Sequence, residues 1–324
     1  MKRFIALSIL ATIVATGYAQ EQIKCETYLF ATHENQELYL DLYRDTSYNS
    51  AEARPCMIFV FGGGFAGGER DHDAYKHYFH TLAREGIAVA SIDYRLGLKG
   101  LKLNESEKMD IRGVIAIMQR SVNIAVEDLY AATEFIISNA SEWNIDTTKI
   151  MVSGSSAGAI TALQAEWCMC NGNTIPHALP HDFRYAAVVA CAGAIFSTEG
   201  KPKWDRSPAP TMLFHGTSDS NVPYNKASIF GIGFYGSKYI VRNLEKLDIP
   251  YYFYTERYAD HALAIVPLID KTDLILQFIK DYVMDGRALR TTSTSDNIKP
   301  EKRSERFSAM DYLKTNYTRD THGI

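Results

Sequence analysis

Six short apolar runs, at 55–61, 87–94, 149–154, 185–192, 211–215 and 251–255, alternate with longer amphipathic stretches near 73–85, 125–141, 156–168, 237–247 and 268–283. Runs this short, with no polar residue at every second place, suit strands covered on both faces. Strand and helix in alternation predict a mostly parallel central sheet with helices on both faces, an α/β fold. Ahead of them I-K-C-E-T-Y-L-F and E-L-Y-L-D-L-Y, separated by T-H-E-N-Q, alternate in and out as an antiparallel hairpin should. The 324 residues, 46% hydrophobic and 22% charged, are enough for one large domain of this kind or two small ones.

The ends of the chain read differently. M-K-R-F-I-A-L-S-I-L-A-T-I-V-A-T-G-Y-A-Q carries two cations, an apolar stretch, and small residues at Gly17 and Ala19. That is the pattern of a secretory signal over residues 1–19, cleaved after Ala19. Its apolar run is shorter than the roughly 20 residues a bilayer span needs, and no later segment is long enough either. The expected location is therefore secreted or periplasmic. From Arg287 the chain turns polar, through T-T-S-T-S-D-N and K-P-E-K-R-S-E-R, and residues 285–324 read as a C-terminal tail, either poorly ordered or a short element on the exterior. Residues 97–124 interrupt the strand–helix rhythm and read either as a partial cap over a site or as a plain surface helix.

A formal charge of −4 gives no pull toward nucleic acid or an anionic membrane surface, so small neutral or organic partners are expected. The five cysteines, Cys25, Cys56, Cys168, Cys170 and Cys191, are odd in number, leaving at least one free or paired between chains. Cys168 and Cys170 suggest a metal pair, but the spacing is not C-x-x-C and no second ligand pair follows; small buried hydrophobes are the better reading.

Residues 150–158 read I-M-V-S-G-S-S-A-G. Glycine-x-serine-x-glycine after an apolar run fits a strand turning sharply into a helix, with the central residue strained and small neighbours avoiding a clash. Gly154 and Gly158 bracket Ser156, which makes Ser156 the candidate nucleophile. A serine hydroxyl needs a base to take its proton and a carboxylate to orient that base. Both should follow later strands, since ligands bind beyond the carboxyl ends of a parallel sheet. After 211–214 comes H-G-T-S-D-S-N-V-P-Y, with Asp219 inside it; after 251–257 comes Y-A-D-H-A, with His261. The order serine, acid, base is the one expected after such an elbow.

Asp205, Asp248 and Asp260 compete with Asp219, and Asp260 is weakened by adjoining His261 in sequence. Among the other histidines, His215 ends a strand and should pack beneath the site. His72, His77 and His80 lie on a surface helix, and His177 and His181 flank a proline loop. Charge developing on a carbonyl oxygen needs preorganised donors, worth about 3–4 kcal/mol each. The stretch F-G-G-G-F-A-G-G at 61–68 bares consecutive amides as it leaves the first central strand. A phosphate loop is excluded there, because Glu69 and Arg70 stand where lysine and serine or threonine would be required.

These landmarks, F-G-G-G-F, S-I-D-Y-R-L, G-S-S-A-G, H-G-T-S-D-S-N-V-P-Y and D-H-A, run in this order between about residues 22 and 284. Together they resemble the α/β-hydrolase superfamily, in the manner of hormone-sensitive-lipase-like carboxylesterases and bacterial feruloyl-esterase-like enzymes. The resemblance implies the α/β-hydrolase fold, with Ser156 as nucleophile, Asp219 as acid and His261 as base. It also implies an oxyanion hole of the Gly63, Gly64 and Ala157 amides, and a structural role for Asp93, Tyr94 and Arg95. Phe61 stands where many relatives carry a histidine that braces the glycine loop. Phe65, Tyr94, Tyr224, Phe234 and Tyr235 are candidates to line an acyl or aryl pocket.

The expected activity is hydrolysis of carboxylic esters through an acyl-enzyme, with no metal or organic cofactor and a small-molecule or oligosaccharide ester as partner. Acetyl or feruloyl esters of plant polysaccharide fragments are the substrates that export suggests. The alternatives are a serine peptidase of the same fold, although no propeller repeats precede residue 55, and a catalytically silent binding protein docking through its tail.

Overall fold

The computed structural model describes residues 22–296 apart from 34, 49, 51, 101–110, 173 and 174, together with 303–305, 308, 311, 312 and 315. The signal sequence expected over 1–19 lies outside the described residues. In chain order the elements are β1 (Ile23–His33), β2 (Gln36–Asp45), β3 (Arg54–Val60), α1 (Asp73–Arg84), β4 (Ala88–Ile92), α2 (Ile111–Trp143), β5 (Ile145–Ser155) and α3 (Ala157–Cys170). They continue as β6 (Val188–Cys191), β7 (Ala194–Ser197), β8 (Thr211–Gly216), β9 (Lys226–Ile229), β10 (Ile232–Gly236), α4 (Ser237–Lys246) and β11 (Tyr251–Arg257). A 3-10 turn (His261–Ala264), α5 (Pro267–Asp270), α6 (Thr272–Phe278), a π-helical stretch (Ile279–Met284) and β12 (Arg290–Asp296) complete the series.

Nine strands form the main sheet in the order β1-β2-β4-β3-β5-β6-β8-β11-β12. Every pairing from β4 to β12 is parallel; β2 pairs antiparallel with both β1 and β4. This is the α/β architecture that the apolar runs predict. β4, β6 and β8 are buried along their whole length and β3 from Pro55 on, because α1 packs with α5 and α6 while α2 packs with α3, covering the sheet. The α1 face is aromatic: Tyr75, Tyr78 and Phe79 surround Phe59 of β3, with ring centroids 4.6, 5.9 and 5.0 Å away. Such tilted and edge contacts add to the area each ring buries.

Two expectations change. Within 97–124, residues 101–110 lie outside the described residues, but from Ile111 the chain is already the first part of α2. Met118, Ser121, Val122 and Ala125 are buried at helical spacing, so this part packs into the domain rather than overhanging it. The boundary expected at 284 also moves. Residues 290–296 form the ninth strand, pairing with β11 from Tyr251↔Arg290 to Arg257↔Asp296. R-T-T-S-T-S-D has no apolar side to betray it, since an edge strand whose outer face meets solvent can be built from threonine and serine alone. A second sheet, β7-β10-β9, also escaped the periodicity, its strands being four or five residues long.

The loop leaving β4 is tied down by charge. Asp128 of α2, fully buried, accepts from the Arg95 amide at 2.7 Å and from its guanidinium Nε at 2.9 Å, and Glu127 takes the other edge of the guanidinium. Burial pushes the Asp128 carboxyl up and Arg95 works against that rise. Removing the cation strands a buried carboxylate, which is costly. Arg95→Met is expected to lower the free energy of unfolding by about 3 kcal/mol, read as a shift in the urea midpoint at unchanged slope.

Candidate active site

The Ser156 backbone shows why small residues crowd there. It sits at φ 51° between β5 and α3, a conformation costing about 1–3 kcal/mol for a non-glycine residue. Two backbone bonds hold it: its amide donates to Cys191 O at 2.9 Å, and its carbonyl accepts from Ile160 N at 2.9 Å. A Cβ at Gly154 would lie 2.3 Å from the Gly158 carbonyl carbon, and one at Gly158 would lie 2.0 Å from Val60 O. The turn is therefore pressed against the end of β3. Gly62 completes the contact, since a Cβ there would stand 3.2 Å from that of Ser156.

Beyond β8, Asp219 is buried. Its Oδ1 accepts from the amides of Asn221 and Val222, both at 2.9 Å, and its Oδ2 from His261 Nδ1 at 2.8 Å. His261 Nε2 lies 2.8 Å from Ser156 Oγ. An ionised carboxylate only accepts, so Nδ1 carries the imidazole proton and Nε2 is left to accept from the serine hydroxyl. Ser156, His261 and Asp219, 105 and 42 residues apart, thus form one hydrogen-bonded chain. Burial pushes the Asp219 carboxyl up, but the hydrogen bonds and charges of His215 and His261 outweigh it and hold the group well below the usual carboxylate range.

His215 does pack beneath the site. Its Nε2 donates to Val222 O at 3.1 Å, 3.4 Å from Asp219 Oδ2, and its Nδ1 accepts from Ser237 Oγ at 2.7 Å. That contact with Asp219 was not legible in the sequence. The competing aspartates are elsewhere: Asp205 is exposed, Asp248 pairs with Arg290, and Asp260 accepts from Ala262 N at 3.1 Å, capping the 3-10 turn.

The glycine loop after β3 closes a turn in which Gly63 O accepts from the amides of Ala66 and Gly67 at 3.0 and 3.1 Å. Gly63 and Gly64 take φ of 133° and 63°, open to glycine alone at little cost. No acceptor among the described residues meets their amides, and the Ala157 amide opens α3, where the helix offers no partner. With phenylalanine at 61, tyrosines brace the loop. Tyr94 Oη donates to Phe61 O at 3.0 Å while its ring lies 4.5 Å from that of Phe61, and Tyr75 Oη accepts from Gly62 N at 3.3 Å. Arg70, the residue that excludes a phosphate loop, anchors the far end through Asp41 and Asp93 at 3.0 and 2.8 Å.

Of the aromatic candidates, Phe65, Tyr94, Phe234 and Tyr235 are buried in packing: Phe65 against Tyr94, Phe234 against Phe196, Tyr235 against Tyr239. Tyr224 borders a cavity of about 430 Å³ shared with Thr217, Lys238, Thr255, Arg257 and Glu305. Cys168 contacts Gln164 and Cys170 contacts Glu166, each within one turn of α3. Among the described residues no group of three His, Cys, Asp or Glu is placed to hold a metal, and no helix is long and apolar enough to cross a membrane.

Comparison with known proteins points the same way. Residues 15–165, which carry the glycine loop and the Ser156 elbow, match the model of the Carboxylesterase family. Gut esterase 1 of Caenorhabditis elegans is 32% identical over 114 residues, 35% of this chain and 18% of that protein. Fumonisin B1 esterase of Sphingopyxis macrogoltabida is 32% identical over 124 residues, 38% of this chain and 21% of that protein. The matches thus span about a fifth of these curated relatives. Among solved structures, native esterase 2 of Thermogutta terrifontis superposes with a TM-score of 0.57 at 20% identity, covering 79% of this chain and 91% of that one. The same esterase phosphorylated by paraoxon gives 0.58 at 20% identity, covering 81% and 96%. These structures share the α/β fold of this chain, a mostly parallel central sheet with antiparallel strands at its N-terminal edge.

The close approach at the elbow makes a sharp prediction. Gly158→Ala drives a methyl into the end of β3, and either the elbow or the strand must move. Unfolding free energy should fall by about 2–3 kcal/mol, checked by denaturant titration beside an Ala159→Gly control.

Proposed function

We propose that the protein is an exported serine esterase that hydrolyses carboxylic esters through an acyl-enzyme. The observation that carries the reading is the continuous chain from Ser156 Oγ through His261 to Asp219, with both links 2.8 Å long, on a fold shared with esterases. In the forward half-reaction Ser156 Oγ attacks the ester carbonyl carbon while its proton passes to His261 Nε2. The carbonyl π pair moves onto oxygen, where the amides of Gly63, Gly64 and Ala157 receive the charge. As the tetrahedral adduct collapses, the C–O bond to the alcohol breaks and His261 returns the proton to the leaving oxygen. Water repeats the steps against the acyl-serine and frees the acid.

Asp219 fixes the tautomer and balances the transient imidazolium without taking the proton itself. Its depressed carboxyl suits that task, because the anion persists wherever the enzyme works. The finer reading, an enzyme of the hormone-sensitive-lipase-like or feruloyl-esterase-like type acting outside the cytoplasm on acetyl or feruloyl esters of plant polysaccharide fragments, is supported by the landmarks and by the signal pattern at residues 1–19.

Turnover of p-nitrophenyl acetate and butyrate tests the reading. Ser156→Ala should abolish it together with labelling by a fluorophosphonate, and Asp219→Asn should lower kcat by about 10⁴-fold through the wrong imidazole tautomer. The acid limb of kcat/KM against pH should follow one protonation, with no second step from Asp219 in the ordinary aspartate range. Hydrolysis of an aminoacyl-p-nitroanilide without ester turnover would assign a peptidase, and no labelling at all would assign a silent scaffold.

A further inference from the structure

The polar segment after β12 reaches the two loops that carry the acid and the base. β12 runs parallel to β11, so it delivers the chain to the same end of the sheet at which β11 delivers His261. There residues 303–305 touch both loops. Arg303 forms an ion pair with Asp260, the residue before the base, whose carboxylate caps the turn that His261 begins. The Arg303 carbonyl accepts from Ser218 Oγ at 3.4 Å, the residue before the acid. Glu305 Oε1 accepts from Thr217 Oγ1 at 2.6 Å, and Thr217 Oγ1 in turn accepts from Tyr258 N at 2.8 Å.

A threonine hydroxyl has one proton. Giving it to Glu305 turns the lone pairs of Thr217 toward the Tyr258 amide, so the tail carboxylate holds that hydroxyl in the orientation that joins the acid loop to the base loop. Backbone bonds run in parallel: Thr217 N donates to Glu256 O, and Ser218 N to Ala259 O, both at 2.9 Å. Arg257 Nε, 3.9 Å from Glu305, favours the carboxylate in this place, and Tyr312 further along packs on Phe234 with centroids 5.2 Å apart.

We propose that Glu305 and Arg303 are positioning residues for the triad, holding the Asp219 loop and the His261 turn in the spacing that keeps the imidazole between carboxylate and serine. The proposal rests on the esterase reading for its consequence in turnover, but not for the geometry it asserts. Both side chains are partly exposed, at 51% for Arg303 and 38% for Glu305, so neither bond is strong by itself. Their leverage is geometric, because a displacement of about 1 Å in a reacting group is enough to cost rate heavily.

The test compares wild type with the double variant Arg303→Ala/Glu305→Ala and with Glu305→Gln, whose amide oxygen can still accept from Thr217. Three quantities are read: kcat and KM on p-nitrophenyl acetate, the thermal midpoint, and the downfield NMR resonance of the His261 Nδ1 proton, assigned by its loss in Asp219→Asn. In the double variant kcat should fall about five- to tenfold with KM within about twofold. The Nδ1 proton should be lost to exchange, and Glu305→Gln should stay close to wild type on both measures. An unchanged resonance and kcat in the double variant would overturn the proposal. So would a loss accounted for by the unfolded fraction, or a Glu305→Gln variant as impaired as the double one. If the wild type turns over no ester, the esterase reading fails while the Nδ1 resonance still decides the positioning claim.

Discussion

Everything around Ser156 depends on how closely its turn can approach the end of β3. Gly154, Gly158 and Gly62 together remove three side chains from one small volume, and only then can the Val60 and Phe61 carbonyls lie against the first turn of α3. The same approach sets the glycine loop beside the serine and leaves the first amide of α3 open. Strain at Ser156 and free amides nearby are therefore one feature seen twice.

The acid shows how burial can serve an anion. Desolvation alone would push Asp219 toward the neutral form, in which it could no longer receive the imidazole proton's hydrogen bond as an anion. Two backbone amides on Oδ1 and two histidines facing Oδ2 overcome that tendency. His215 has its own orientation settled by Ser237 and Val222, so it meets the carboxylate without competing for Ser156. One ring positions the acid from below while the other is positioned by it from above.

The parts legible in the sequence were those in which one requirement dictates residue type over several positions. Doubly covered strands must be apolar throughout, which exposed β3, β4, β6 and β8; a strained elbow must be flanked by glycine, which exposed Ser156; partners for that serine must follow later strands, which singled out Asp219 and His261, the two side chains that meet it in one hydrogen-bonded chain. Elements held by mixed or local forces were not legible. β7, β9 and β10 are too short to show a period, the first half of α2 follows a polar stretch, and the tyrosines that brace the glycine loop lie 14 and 33 residues beyond Phe61. For β12 a signal existed: three threonines within four residues favour a strand even without an apolar face.

That strand changes what the polar C-terminus is. A sheet ending at β11 would leave the strand that leads to His261 as an exposed edge, its carbonyls and amides unpaired along one side. Pairing with β12 stiffens β11 up to Arg257, only four residues before His261, and parallel direction then requires the chain to emerge at the His261 end of the sheet rather than the opposite one. An antiparallel ninth strand would have covered the edge equally well and released the chain far from the triad. The direction of one edge strand is thus what brings Arg303 and Glu305 within reach of Asp260 and Thr217.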